Sequence, residues 1–342
     1  MPKNQRPTLQ EIAEACGVSI ATVSAALNNQ PSVSAKTRSR VLDVAISLGY
    51  EPKEKNIRGN DKTLKTIGLL VKHDAGVIWD INPFYSLIQL GVTNTCQQHS
   101  INLMVANIEV DASNRPIAWP AMIDEQRIDG LIMAGAFIDE TVQMVGRRAE
   151  VPIVLVDGCA PELGFDTVAT DNYGGAQTAV RHLVENGHTR IGLVGWNPLS
   201  PPSIHQRMQG YLDTLSVHRL EPFISESVLS RAGGQDAARQ LLDPARKVTA
   251  IFACNDETAL GVMNTARSLN LEIPRDLSLV GFDNIDMAAE VSPPLTTIHV
   301  HKTWMGSLGV QMLMDRVRMP QRPKITTTIT TDLIRRESVA RI

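Results

Sequence analysis

Cysteines, aromatic residues and long apolar runs are all scarce in this sequence. The four cysteines, Cys16, Cys96, Cys159 and Cys254, form no Cys-x-x-Cys pair. Their spacing argues against a zinc site or a disulfide framework and is typical of a protein kept in a reducing cytoplasm. No stretch reaches the roughly 18 apolar residues of a membrane-spanning helix. The charged N-terminus also lacks the apolar segment of a secretory signal. We therefore expect a cytoplasmic protein with no membrane partner.

Sequence motifs for catalysis are missing as well. The chain has no Gly-x-Ser-x-Gly, no Walker P-loop, no His-Glu-x-x-His and no Gly-x-Gly-x-x-Gly after a strand. Its histidines are scattered, and the closest pair, His299 and His301, is too small a set for a metal site. We expect no catalytic residue, no cofactor and no metal.

Charge is nearly balanced over the whole chain but not along it. Lys and Arg number 33 against 36 Asp and Glu in 342 residues, a net charge of −3. Residues 1–65 carry ten basic and six acidic side chains, so this head has +4 and the remainder −7. A basic head on an acidic body favours a nucleic-acid-binding module joined to a larger domain of another kind. The length suits two or three domains of roughly 100–200 residues each.

Three short helices are predicted in the head. Thr8 and Glu11 have the spacing of a capping box. Gly17 ends the first helix because glycine readily adopts a positive φ. Ser19 and Ser34 are suited to cap the second and third helices. The predicted helices cover residues 9–16, 20–28 and 35–48.

The second helix has two different faces. One carries Val23, Ala26 and Leu27, which we expect to pack on the first helix. The other carries the smaller or polar side chains Ile20, Ala21, Ser24, Ala25 and Asn28. Two helices joined by a short glycine-containing turn indicate a helix-turn-helix, whose second helix enters the major groove of DNA. The spacing alone also allows a plain three-helix fragment that packs on the body.

Longer motifs decide between these alternatives. Residues 7–28 read PTLQEIAEACGVSIATVSAALN, with Val-Ser-x-x-Thr-Val-Ser inside, and residues 48–52 read Leu-Gly-Tyr-x-Pro. This head closely resembles the DNA-binding segment of the LacI/GalR family of transcriptional repressors. The resemblance implies a ligand-responsive homodimer that binds a pseudo-palindromic operator in double-stranded DNA.

The same resemblance assigns the DNA-contacting residues. Ile20, Ala21 and Ala25 stand where members of the family read base edges. Members usually carry Arg in place of Ala25, and many carry a polar residue in place of Ala21. Since apolar side chains contact thymine methyl groups, we expect a shape- and thymine-dependent operator. The other predicted DNA-binding residues, which include hydroxyl groups suited to phosphate, are Thr8, Ser19, Thr22, Ser24, Asn28, Ser34 and Thr37.

Residues 53–65 match the family's hinge in length. In the family this segment orders on DNA and inserts a leucine into the minor groove. Here Gly59 stands at the leucine position, beside Ile57 and Arg58, and glycine and asparagine disfavour a helix. Two hypotheses stay open: a hinge in which Ile57 replaces the wedge, or a flexible charged linker.

The body alternates strand and helix patterns, which predicts parallel, doubly wound sheets. Thr66-Ile-Gly-Leu-Leu and Arg190-Ile-Gly-Leu-Val open two similar halves. The predicted strands cover residues 66–71, 101–108, 130–134, 151–156, 190–195, 249–253 and 277–281. Ligands of such sheets bind beyond the carboxyl ends of the strands.

The family resemblance continues through this body, in motifs such as Asn255-Asp256, Gly281-Phe282-Asp283 and Pro294-Leu-Thr-Thr-Ile298. It implies an N-terminal all-α helix-turn-helix head (1–52), the hinge (53–65) and an α/β body (66–342). The body would comprise two doubly wound parallel-sheet subdomains, as in periplasmic sugar-binding proteins. The expected subdomains are residues 66–167 with 299–323, and residues 168–298 with 324–342.

Effector contacts follow by position. Arg207 matches the arginine that grips the effector in the family, and Asn255 and Asp283 match residues that bond sugar hydroxyls or a purine edge. The arginine guanidinium donates hydrogen bonds in a fixed fork, and the amide and carboxylate oxygens of the other two residues accept hydrogen bonds. Such a set of groups suits a neutral polyol. The full predicted set is His73, Trp79, Phe84, Asp157, Ser203, Arg207, Asn255 and Asp283.

The identity of the effector stays open. Trp79 lies in a loop that is longer than the family's, and Leu229 replaces an aromatic residue of some sugar-responsive members. A sugar or sugar derivative is our first expectation and a purine or nucleoside the alternative. Two other functions stay open: a solute receptor without a DNA role, and an α/β enzyme of similar fold.

Overall fold

The computed structural model describes residues 8–27, 33–48, 64–74, 83–111, 115–135, 137, 139–158 and 163–342. Contacts divide the chain into two compact units, residues 1–61 and residues 62–342. The predicted residues Asn28, Ile57, Arg58, Gly59 and Trp79 lie outside the described residues. Their roles stay predictions.

The first unit is a small helical head. Its helices are α1 (Leu9–Cys16), α2 (Ile20–Leu27) and α3 (Ala35–Ser47). The Thr8 hydroxyl accepts the Glu11 amide and the Glu11 carboxylate accepts the Thr8 amide, so the predicted capping box is present. Gly17 has the left-handed φ of 62° that ends α1. Val23 and Ala26, predicted to pack on the first helix, lie in a core with Ile12 and Val41.

The second unit contains two sheets. The strands are β1 (Thr66–Asp74), β2 (Asn102–Val110), β3 (Gly130–Ala134), β4 (Ile153–Val156), β5 (Asp166–Thr170), β6 (Ile191–Val194), β7 (Phe223–Ser225), β8 (Ala250–Ala253), β9 (Ser278–Asp283), β10 (Thr296–His299), β11 (Thr326–Ile329) and β12 (Asp332–Ile334). The first sheet has the order β11-β5-β4-β3-β1-β2 and the second β12-β10-β9-β8-β6-β7. The described strand pairs are parallel except β10 with β12.

Helices connect these strands and cover the sheets. They are α4 (Pro83–Gln98), α5 (Ala121–Asp124), α6 (Asp139–Ala149), α7 (Asn172–Glu185), α8 (Pro202–Val217), α9 (Arg231–Leu241), α10 (Asp256–Ser268), α11 (Met287–Glu290) and α12 (Lys302–Arg318). Helices α4 and α12 pack with their backbones in contact: a Cβ on Gly306 would lie 2.1 Å from the Ile88 carbonyl oxygen. No helix among the described residues is long and apolar enough to cross a membrane.

The seven strands predicted from apolar runs are all present, and their ends lie within three residues of the prediction. The main difference is β1, which continues to Asp74 because residues 72–74 pair with β2. The start of the predicted long loop, including His73, is therefore a strand. Continuous apolar runs are expected where a parallel sheet is covered on both faces.

Strand pairing corrects two predicted subdomain boundaries. The expected ranges placed residues 168–170 and 324–342 in the second subdomain. However, β5 and β11 both belong to the first sheet, where Val156 pairs with Val168 and Thr328 with Ala169. The chain therefore crosses between the sheets after β5, after β10 and after β11. Hydrogen bonds between strands 160 residues apart in sequence decide this, and local patterns do not reveal them.

Candidate functional site

Arg207, a buried arginine in α8, lies at the centre of a cluster of polar side chains. Its Nε donates to the Asn172 side-chain oxygen at 2.9 Å, and its Nη1 donates to the Cys254 carbonyl at 2.5 Å and to Asp283 Oδ1 at 3.3 Å. The guanidinium also lies 3.7 Å from the centre of the Phe282 ring. Two of these partners follow or end strands β8 and β9, so the carboxyl end of the second sheet holds the arginine.

Asp283 is the last residue of β9 and has a left-handed φ of 107°. Burial raises the pKa of its carboxyl group, and the charges of Arg207 and Lys302 partly offset the rise. The buried Lys302 ammonium donates to the carbonyl oxygens of Asp283 and Asn284. A positive φ at a non-glycine residue is strained, and at Asp283 the strain coincides with burial of the carboxyl group.

Asp157 joins the cluster from the first sheet. It follows β4 with a φ of 57°, and its Oδ2 accepts the Tyr85 hydroxyl at 3.3 Å. Burial raises its pKa to about 7; the Arg207 charge lowers it and the Asp283 charge raises it further. The first subdomain thus places a half-buried carboxyl group within electrostatic range of the Arg207–Asp283 pair of the second subdomain. The structure brings together the predicted residues Asp157, Arg207 and Asp283.

Asn255 is engaged in local structure. Its side-chain oxygen caps α10 by accepting the Thr258 amide at 2.9 Å, which leaves its amide group to donate. The neighbouring Asp256 is fully buried and accepts the Thr297 hydroxyl and the Ile285 amide. Burial raises the pKa of Asp256 to about 8, and the Asp283 charge adds to the shift. Asp256 supports the loop after β9, whereas an effector contact by Asn255 stays a prediction.

A cavity of about 260 Å³ lies beside the charged cluster. It includes the predicted residues Asp157 and Ser203, together with Asn172, which accepts from Arg207. The remaining lining is Phe137, Gly158, Thr167, Ala169, Thr170, Asp171, Tyr173, Pro202, Gln206, Thr326 and Thr328. Its hydroxyl, amide and carboxylate groups can bond a polyhydroxylated ligand.

Two further predicted residues take different positions. Phe84 is buried in the first turn of α4, with its ring 5.8 Å from Lys302 Nζ and in edge contact with Tyr85. It therefore borders the cluster through these two residues. His73 lies in β1 in register with Glu109, beyond the last β1–β3 pair, and its effector role stays a prediction.

On the head, the exposed face of α2 corresponds to the predicted base-reading face. Ile20 is 49% exposed and Ala21 is exposed, whereas Val23 and Ala26 are buried. Ser19 accepts the Thr22 amide, and Ser34 accepts the Thr37 amide, so both serines cap helices. Hydroxyl groups at helix N-termini are suited to phosphate as well.

Sequence reasoning missed several polar groups of the cleft. Tyr85 could have been found only as the direct neighbour of the predicted Phe84, and Asn172 was not predicted. Lys302 gave no signal, because lysine is rarely buried unless it is paired. Within the described residues, no group of three or more His, Cys, Asp and Glu side chains is arranged for a metal ion.

Comparison with family models gives two matches. Residues 8–53 match the model of bacterial regulatory proteins, lacI family. Residues 180–339 match that of a periplasmic binding protein-like domain. The first match covers the helical head, and the second covers all six strands of the second sheet, strand β11 and helices α8 to α12.

Individual proteins match over nearly the whole chain. The ribose operon repressor of Haemophilus influenzae is 31% identical over 336 residues, which cover 97% of this chain and 98% of that one. The transcriptional regulator CelR in complex with cellobiose is 27% identical, with a TM-score of 0.69 and coverage of 97% and 100%. The lac repressor dimer bound to operator and the anti-inducer ONPF is 25% identical, with a TM-score of 0.67 and coverage of 98% and 100%.

Proposed function

The chain belongs to the LacI family of bacterial regulatory proteins, and from this membership we propose that it is a transcriptional repressor controlled by a small molecule. The head binds operator DNA, and the effector binds between the two subdomains of the body. The relatives named above are two repressors and a transcriptional regulator, so the enzyme hypothesis is set aside. A protein with this role works in the cytoplasm.

The contact between Arg207 and Asp283, with Asp157 opposite, carries the effector part of the proposal. Burying charges costs free energy, and replacing such groups by apolar ones is often neutral or stabilising. Strained backbone at Asp157 and Asp283 adds to that cost. A ligand that bonds these groups explains why the fold keeps them at the carboxyl ends of two sheets.

A sugar or sugar derivative is the effector class that these groups favour. The hydroxyl groups of a neutral polyol can donate hydrogen bonds to the carboxylates and accept hydrogen bonds from the guanidinium. Such a ligand therefore satisfies both kinds of group. Two relatives point the same way, one by its name, ribose operon repressor, and one by its complex with cellobiose. A purine or nucleoside is the alternative outcome.

Operator binding by a homodimer is the DNA part of the proposal. Two heads reach two half-sites in successive major grooves, which gives a pseudo-palindromic operator. The lac repressor structure, a dimer on its operator, supports this arrangement. If the effector binds one conformation of the body more tightly than another, it changes the affinity of the head for the operator. The size of this change is limited by the difference between the effector's affinities for the two conformations.

Two measurements on the purified full-length chain test the proposal. The first is thermal unfolding in the presence of D-ribose, cellobiose, adenosine or hypoxanthine. We expect a sugar to raise the melting temperature, because a ligand that binds the native state stabilises it by mass action. Selection from a random DNA library should yield a palindromic site, and its affinity should fall by about three orders of magnitude between roughly 50 and 200 mM salt if six phosphates are contacted. Ligand binding without any salt-dependent DNA binding would instead identify a solute receptor.

A further inference from the structure

The edge strand β11 contributes two threonines to the cavity beside the charged cluster. This strand lies at one end of the first sheet, next to β5. Thr326 and Thr328 line the cavity, whereas Thr327 between them is not among the lining residues. The neighbouring strand alternates in the same way, because Ala169 lines the cavity and Val168 is buried in the core. Successive side chains of a strand point to opposite faces, so the cavity lies on one face of this sheet edge.

The polar groups of the cavity include several that are available to a ligand. Within the described residues, no hydrogen bond engages the side-chain hydroxyl groups of Thr326, Thr328 and Ser203. The two threonines are exposed. Gln206 accepts the Asn172 side-chain amide at 3.4 Å through its oxygen, which leaves its own amide group to donate. Three hydroxyl groups and one amide group can therefore bond a molecule that enters the cavity.

The walls of the cavity belong to different subdomains. The threonines lie in the first sheet, whereas Pro202, Ser203 and Gln206 lie in the first two turns of α8, which follows β6 of the second sheet. Residues 171–173, where the chain has just crossed from β5 to the second subdomain, also line the cavity. The affinity of a ligand held by both walls therefore depends on the relative position of the subdomains, as control by an effector requires.

Volume and lining together indicate the class of the occupant. The cavity of about 260 Å³ is smaller than the roughly 300–1,000 Å³ of pockets for drug-sized ligands, so it takes one ring-sized unit. Phe137, Ala169 and Pro202 give it apolar surface. A hydroxyl group both donates and accepts, so the available hydroxyls match those of a sugar ring, whereas a purine edge needs donors and acceptors in a fixed order.

We propose that this cavity is a sugar-ring subsite of the effector site, with Thr326 and Thr328 as specificity-determining residues. The inference rests on the proposed effector binding and extends it from the predicted residues to the edge strand β11. The ring belongs either to a free monosaccharide or to the terminal unit of a larger glycoside that also reaches Arg207 and Asp283. Its hydroxyl groups bond the two threonines, and its C–H surface packs on the apolar lining.

Isothermal titration calorimetry on the full chain tests the subsite with D-ribose, D-glucose, cellobiose, adenosine and hypoxanthine. Thr326→Val and Thr328→Val each remove one hydroxyl group and keep a β-branched residue that suits a strand. Each variant should weaken binding of the sugar about 2- to 13-fold, which corresponds to the loss of one neutral hydrogen bond. Thr327→Val, the matched control in the same strand, should change the affinity by less than about twofold. The thermal transition of each variant checks that it folds.

The same titrations identify the source of the ring. A monosaccharide that binds at least as tightly as cellobiose, with the loss in the threonine variants, identifies a free ring in the subsite. Cellobiose that binds more tightly than both monosaccharides, with the same loss, identifies the terminal unit of a glycoside. Either result supports the proposal.

Deoxy derivatives of the sugar that binds link one threonine to one hydroxyl group. Each derivative lacks a single hydroxyl and is titrated into the original protein and into Thr328→Val. For the derivative that lacks the partner hydroxyl, the substitution should weaken binding by less than about twofold, because no bond is left to lose. An indirect effect on the fold would instead weaken the binding of every derivative equally.

Three results overturn the proposal. If the sugar binds Thr326→Val and Thr328→Val as tightly as Thr327→Val, while Arg207→Met loses it, the effector lies elsewhere in the cleft and the proposed function stands. If adenosine or hypoxanthine binds and no sugar does, the cavity does not hold a sugar ring. If none of the five compounds binds, the proposed effector class itself is wrong, and the subsite with it.

Discussion

Replacing Arg207 by methionine should separate effector control from operator binding. The methionine side chain keeps much of the apolar volume against Phe282 and removes the guanidinium. With it go the hydrogen bonds to Asn172, Cys254 and Asp283. A hydrogen bond to a charged group contributes about 1.5–3 kcal/mol. Loss of one such bond to the effector therefore weakens effector binding about 10- to 150-fold.

The folded state should survive this change. Removing Arg207 leaves Asp283 buried without its cation, which destabilises an ionised carboxylate. The pKa of Asp283 is already raised by burial, so the group can take up a proton instead. We expect a measurable loss of stability but no unfolding, and operator binding without effector should stay within about threefold of the original protein.

Fluorescence anisotropy of a labelled operator duplex, titrated with and without the sugar found by thermal unfolding, measures both effects. Arg207→Lys is the matched variant: it keeps the charge but cannot form the same fork of hydrogen bonds, so it should recover only part of the response. A normal effector response in Arg207→Met would refute the placement of the effector. Loss of operator binding without effector would show that Arg207 supports the fold instead.

Two further predictions concern stability. The pKa of Asp157 is raised to about 7, so the native state binds this proton more tightly than the unfolded state, and the free energy of unfolding falls as pH rises from about 4 to 7. Asp157→Asn should reduce that slope by up to about 1.4 kcal/mol per pH unit in urea unfolding, and an unchanged slope would contradict the assignment. Arg316→Met breaks a buried ion pair with Asp166 at 2.7 Å and should cost about 3–5 kcal/mol. Arg239→Met, which removes an exposed pair with Asp236, should cost less than about 1 kcal/mol in the same urea or thermal unfolding, and equal costs would refute the difference.

Local sequence determined the head and the strand pattern. The capping box at Thr8, the glycine that ends α1 and the serine caps depend on residues three or four apart. Apolar runs of four or more residues marked the strands because parallel strands are buried on both faces. Such features can be predicted from sequence because their physical causes lie within one turn of helix or one strand.

Tertiary structure alone decided the neighbourhood of the effector site. Arg207 bonds residues 35, 47 and 76 positions away, and Lys302 reaches the end of β9 from the start of α12. The burial of Lys302 and Asp256, and the membership of β5 and β11 in the first sheet, are likewise set by distant segments. A charged side chain becomes buried only where other parts of the fold supply its partners, and no local pattern contains that information.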